Sequence, residues 1–186
     1  KIALLSLLLL LIVLYIILKI IYSEGRFTIT LDSNDTLESG ITIYESENNP
    51  QAHRKLEATP IKFMDNISYK WLPDNIDTEG EGAHNGDNYI AYTFYVENRG
   101  KDTMNYWYEV ILDDVIKRVD EAIRIRIYKN GEATTYAKKN ALANAPEENT
   151  VAFKELANSP ETLILEERTN FNLGDIDHYT IVVWLE

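Results

Sequence analysis

Between Asp74 and Asn88 the chain reads DNIDTEGEGAHNGDN, and here the side chains able to do chemistry are densest. Asp74, Asn75, Asp77, Glu79, Glu81, Asn85, Asp87 and Asn88 crowd oxygen donors into one short stretch. Hard cations want that kind of crowding, since calcium takes about six to eight oxygen ligands. With Asn75, Asp77 and Glu79 as the first, third and fifth loop positions, Gly80 falls where an EF-hand turns sharply. The closing position is then Gly86 instead of a bidentate Glu, so the stretch is not an EF-hand. A looser calcium site on Asp74, Asp77, Glu79 and Asp87 is the one cofactor reading it supports. The ordinary alternative is a solvated acidic loop.

Other chemistries find less. A zinc protease needs two imidazoles on one helix face and a general base, as in His-Glu-x-x-His. The three histidines, His53, His84 and His178, are far apart in the chain. There is no cysteine, which excludes thiol catalysis, disulfides and cysteine-ligated metals. No Gly-x-Ser-x-Gly turn and no glycine-rich phosphate loop occurs. With 30 Asp and Glu, some pair of carboxylates is always available, so a glycosidase reading has no specific support. The expectation is a protein without catalysis. Trp107 and Trp184 lie within strand patterns and are expected to be buried, and His84 and His178 to be ordinary polar residues. Trp71, beside Leu72-Pro73, is the aromatic residue expected to be exposed and the candidate for binding.

These residues must be positioned by an acidic chain of 186 residues with a net charge of -12. The surface it implies repels phosphate backbones, so nucleic acid is not expected as a partner. The N-terminus breaks the acidic trend. Ile2–Leu18 reads IALLSLLLLLIVLYIIL, followed by Lys19, Ile20, Ile21 and Tyr22. At about 1.5 Å per helical residue, residues 2–22 span about 30 Å, the thickness of a bilayer's hydrocarbon core. We therefore expect a transmembrane anchor at residues 1–22, with the lipid bilayer as partner of residues 2–22, and an extracellular domain at residues 23–186. Cleavage near Ser23 and secretion is the alternative, although no Ala-x-Ala site follows the apolar run. Because the chain starts at Lys1 and stops one residue after a strand pattern, further residues are expected at both ends.

The remainder reads as strands. Tyr89–Glu97 alternates, with Ile90, Tyr92, Phe94 and Val96 on one face, as in a half-buried strand ending in a turn at Asn98–Gly100. Further strands are expected at 27–31, 41–44, 104–112, 123–128, 133–137, 162–166 and 178–185. The last is apolar on both faces, as a central strand is. Lys129-Asn130-Gly131-Glu132 predicts a type I′ hairpin. Helical spacing predicts a short helix over 114–121, and 45–56, 74–88 and 138–150 read as loops. The fold class is mostly β, an antiparallel immunoglobulin-like or jelly-roll sandwich with one short helix.

Two stretches carry a resemblance. YTFYVENRG at 92–100 follows the pattern aromatic-x-Phe-x-Val-x-Asn-x-Gly, and NLGDIDHYTIVVW at 172–184 leads the final strand with Gly-Asp. With the apolar N-terminus and the GRFTITLD strand, the order resembles the TasA/camelysin family of Gram-positive bacteria. The resemblance implies a jelly-roll-like sandwich, export, and a fibre-forming role in biofilm matrix. Some members are described as proteases, and no His-Glu-x-x-His supports that here. The apolar segment is longer than an ordinary signal sequence, and the 74–88 loop has no counterpart in the pattern. The expected function is structural assembly at the cell surface, with self-association or a protein partner taken by strand pairing. The alternative is a cell-surface binding module, or an exported subunit of a membrane complex, that reads its ligand with end loops such as 74–88.

Overall fold

Period-two alternation along the chain becomes eleven strands in the computed structural model, which describes residues 2–21, 27–32, 40–61, 63–113, 115 and 118–186. They are β1 (Thr28–Thr30), β2 (Ile41–Tyr44), β3 (Lys55–Glu57), β4 (Gly82–Ala83), β5 (Tyr89–Asn98), β6 (Met104–Ile111), β7 (Ile123–Lys129), β8 (Glu132–Ala137), β9 (Val151–Ala152), β10 (Thr162–Phe171) and β11 (Ile176–Leu185). One seven-stranded sheet runs β2-β5-β11-β7-β8-β9, with β4 also on β5. Two two-stranded sheets, β1-β3 and β10-β6, pack on its inner face. The result is a mostly β, sandwich-like domain. Pairing is antiparallel throughout except β8 with β9, which is parallel.

The inner core follows the alternation. Tyr92, Phe94 and Val96 from β5 meet Tyr179 and Ile181 from β11 and Ile125 and Ile127 from β7. Ile164 and Phe171 from β10 and Leu56 from β3 close it from the opposite layer. The β7–β8 hairpin forms as its Asn-Gly pair predicts. Asn130 and Gly131 hold φ of 52° and 84°, the left-handed pair that a type I′ turn requires.

Several expectations are corrected. β5 is not half-buried, because Ala91 and Thr93 on its outer face are as inaccessible as Tyr92. Residues 63–76 lie over that face, and Ile67, Leu72 and Ile76 form a second core with Ala91, Val182 and Trp184. The Arg126 guanidinium lies 5.5 Å from the Trp184 ring and 5.7 Å from the Tyr69 ring, so a cation lies against the edge of this core. The helix expected over 114–121 shrinks to one 3-10 turn, Val119–Glu121, entered through a left-handed Arg118. Residues 114, 116 and 117 lie outside the described residues. The stretches 45–56 and 74–88 are not pure loop, for they carry β3 and β4. Trp107 is 61% exposed, since β6 turns Tyr106 and Tyr108 inward and Trp107 outward.

At the N-terminus α1 (Ile2–Ile21) is a continuous helix of 20 residues. Leu7 to Ile17 all show exposed apolar side chains. Among the described residues no helix is long and apolar enough to cross a membrane. Side chains of α1 are described over residues 6–17 only, about 18 Å of helix. Lys1 and Tyr22 fall outside the described residues.

Candidate functional site

Three outward side chains line up across the large sheet because of its register. Tyr44 on β2 faces Tyr95 on β5, and Tyr95 faces His178 on β11. The two tyrosine rings stack at 5.3 Å and 15°, and the imidazole follows at 5.0 Å. The Arg99 guanidinium sits 5.4 Å from the Tyr44 ring and donates to the Glu97 carboxylate at 2.8 Å. The row ends in an open cleft of about 530 Å³ lined by Glu47, Asp77, Glu81, Tyr95, Ile176 and His178.

Turns set the acids around this row. The Glu81 carboxylate accepts from the Glu47 backbone N–H at 3.1 Å and from the Tyr95 hydroxyl at 3.5 Å. Hydrogen bonding from Ser46 and from the Glu47 amide lowers the Glu81 pKa, which keeps it ionised. The Tyr92 hydroxyl donates to Glu45. Burial, and after it the Glu97 charge, pushes the Tyr44 hydroxyl up to about 12. Burial lowers the His178 pKa even though Asp77, Glu47 and Glu81 pull it up, so its imidazole is neutral at pH 7. The cleft is thus acidic at the rim and aromatic at the wall, which suits cationic ligands over anionic ones.

The expected calcium ligands fall in separate places, with Glu79 and Asp87 both near Tyr89. Asp77 lines the cleft, and its backbone carbonyl accepts from the Thr180 hydroxyl at 3.3 Å. Glu79 and Asp87 act instead on Tyr89, whose pKa is raised first by burial and then by their charges. Asp74 is exposed in the turn after Pro73. Among the described residues no three His, Asp or Glu side chains form a group able to hold a metal. Trp71 is exposed at 73%, on a 3-10 turn, Tyr69–Trp71, opened by the Ser68 hydroxyl accepting from Lys70 N–H. His84 is tied down, with its ring nitrogens 3.0 Å from the carbonyl oxygens of Gly82 and Ile76.

A second polar group lies inside the sandwich. Asp177 is 1% exposed and accepts from Tyr106 (2.7 Å), Asn130 (2.8 Å) and Arg168 (3.0 Å). Burial works to raise its pKa, but the bonds from Asn130 and Tyr106 and the charges of Arg168 and Lys129 carry it below the usual carboxylate range. Lys129 lies 5.7–6.0 Å from the rings of Tyr106, Tyr108 and Tyr179, and burial lowers its pKa. Asp177, Tyr106, Tyr179, Asn130 and Arg168 hold one another by hydrogen bonds, which is the signature of a joint between layers more than of a reactive centre.

The third feature is an edge. Among the described residues β6 and β10 form a strand ladder only with each other; the Leu163 carbonyl accepts from the Lys154 amide at 2.8 Å, and the middle of the pair has no further ladder partner. Beside that edge β6 presents Trp107 and Ile111, exposed at 61% and 45%. Neither the cleft's aromatic row nor this edge was found from sequence, because both depend on strand register.

No protein-family model, curated protein or solved structure matches the chain.

Proposed function

We propose that the chain is a membrane-anchored, extracellular β-sandwich of immunoglobulin-like or jelly-roll type, with a structural role in cell-surface or biofilm-matrix assembly and no catalysis. The observation that supports it is the open β6–β10 pair. Strands of this length with a free edge and apolar neighbours are templates for pairing with another chain. The TasA/camelysin-like order of elements points the same way. The anchor rests on the sequence alone, the apolar run Ile2–Leu18. The test is assembly of the full chain in mild detergent, followed by sedimentation and electron microscopy against concentration. Trp107→Lys with Ile111→Lys should abolish assembly and leave the circular dichroism unchanged. A wild-type chain that stays monomeric at every concentration would sink the proposal.

The cleft supports a second reading, a surface binding module or exported subunit that takes a cationic ligand. Calorimetric binding of spermine by a chain that remains monomeric, lost in Glu47→Gln/Asp77→Asn, would favour it.

A further inference from the structure

Phe63 and Trp71 are 71% and 73% exposed, and Tyr69 between them is 43% exposed. Three large aromatic side chains within nine residues, facing water on a segment whose other side chains build a core, are costly unless something covers them. The sequence around them is IKFMDNISYKWLP, with Lys62 and Lys70 beside the aromatics.

The fold fixes where this segment sits. The Ala58 amide donates to the Phe27 carbonyl at 2.9 Å, because β3 runs antiparallel to β1 and returns to the point where β1 begins. From there the chain is pinned along one end of the sandwich. Asn85 Nδ2 donates to the Thr59 carbonyl at 2.6 Å, and Asp65 N–H donates to Asn88 Oδ1 at 2.8 Å. Ile67 N–H donates to the Leu185 carbonyl at 2.8 Å, and Tyr69 N–H to Glu186 Oε1 at 3.3 Å. This is the end where β5 starts and β11 stops, and the Phe27 ring lies there too, 6.3 Å from Tyr92. Six peptide links join Phe27 to Ile21, the last residue of α1, and they reach at most about 20 Å. Five links from Ala58 to Phe63 reach at most about 17 Å. The exposed aromatics therefore occupy the end of the domain that the tether enters. The acidic cleft lies further along β5 and β11, at Tyr95 and His178.

We propose that Phe63, Tyr69 and Trp71 seat in the headgroup zone of the bilayer that α1 enters, so that the domain is held against its membrane in one orientation. The inference rests on the anchorage proposed above. Tyr and Trp suit that zone because their rings are amphipathic, and the Lys70 stem beside them can reach the phosphate level. A zwitterionic surface fits best, since the chain's charge of -12 opposes an anionic one. Docking of this kind turns the β6–β10 edge and the cleft into surfaces of fixed direction.

The test uses the full chain reconstituted in phosphatidylcholine vesicles with or without brominated acyl chains. In Trp107→Phe two indoles remain, exposed Trp71 and buried Trp184. Bromination should remove roughly half of the emission, by extinguishing the interfacial indole alone. In Trp71→Phe/Trp107→Phe the quenching should vanish. Placing the indole at 63 instead, as Phe63→Trp in that double variant, should restore it, which keeps the test independent of one site. Chain that floats with the vesicles but shows unquenched indoles at both 71 and 63 overturns the docking and leaves the anchor standing. Chain that does not float overturns the anchor and the docking together.

Discussion

Asn98 closes the first of the two stretches that carried the family resemblance, and the structure gives it a measurable task. It is 0% exposed. Its Nδ2 donates to the carbonyls of Asp102 and Phe171, both at 2.9 Å, and its Oδ1 accepts from the Gly100 amide at 2.9 Å. Its backbone N–H donates to the Asp175 carbonyl, and its own carbonyl accepts from the Gly174 amide. One side chain thus ties the β5–β6 turn to the end of β10 beside the Gly-Asp turn before β11. Asn98→Ala deletes all three side-chain bonds. The bonds to Asp102 and Gly100 are part-buried and worth about 1 kcal/mol each, because water can re-enter there. The bond to Phe171 is buried, and leaving its carbonyl unpaired costs about 1–3 kcal/mol. The expected loss is roughly 3–5 kcal/mol, or a fall of about 10 °C in Tm for a domain of this size. Asn98→Asp should lose more at neutral pH, since it sets a carboxylate oxygen against two carbonyls. Urea unfolding of the full chain in mild detergent, followed by the emission of buried Trp184, measures both. A loss below about 1 kcal/mol for Asn98→Ala would mean that water replaces the side chain and that the two turns are not joined through it.

Further outcomes follow from the same geometry. Gly40 holds φ of 82°, and a Cβ there would meet the Gly100 Cα at 2.3 Å, so Gly40→Ala should cost well over 2 kcal/mol, roughly. Gly131 holds φ of 84° with nothing within 4 Å, so Gly131→Ala should cost only about 1 kcal/mol, and thermal melts of the two variants should rank them in that order. His178 has a lowered pKa, so the unfolded chain takes up a proton before the folded one does. Stability should therefore fall as pH drops below about 6.5 and level off beneath the folded value. Asp177 also has a lowered pKa, but as an acid it stabilises above its unfolded value, and that contribution is lost as pH falls below about 4. Urea midpoints against pH should show both steps, and His178→Gln should remove only the upper one. A single step, or one that His178→Gln leaves in place, would contradict the assignment.

How far these features could be read from sequence depends on whether the signal was local. The β7–β8 hairpin needs only Asn130-Gly131 between alternating runs, and β11 shows its central place by being apolar on both faces. In MNYWYEVIL the parity of Trp107 also holds Asn105 and Glu109, so alternation already placed Trp107 on the polar face, and the expectation of burial came from weighing its aromatic side chain over that pattern. β3 and β9 are two or three residues long and exist because a partner pairs with them. The cover over β5 was missed because Ile67, Leu72 and Ile76 are spaced by five and four, matching neither strand nor helix period. The candidate site was harder still. Asp77 was found as an acid in a loop, yet its neighbours in the cleft come from β5 and β11, and only register brings Tyr95 opposite His178.

The two layers of the sandwich treat their edges differently, and this contrast bears on function. The large sheet ends on one side in β9, two residues long, and on the other in β2, four residues long. The loop after β2 folds back over the sheet, with the His53 amide donating to the Ile43 carbonyl at 2.8 Å. Short terminal strands and covering loops are how proteins blunt a sheet against unwanted pairing. The opposite layer is covered only in part: the Lys154 amide donates to the Leu163 carbonyl at 2.8 Å and Asn98 Nδ2 to the Phe171 carbonyl at 2.9 Å, toward the two ends of β10. β6 and β10 run eight and ten residues, and register shifts interrupt their pairing only near the ends of β10. A chain that blunts one sheet has the means to blunt the other, and Lys or Pro at an outward position of β6 would suffice. Glu109 is one outward charge on β6, and Trp107 and Ile111 flank it. The open middle of the pair, flanked by Trp107 and Ile111, is what supports the strand-pairing proposal and what Trp107→Lys with Ile111→Lys tests.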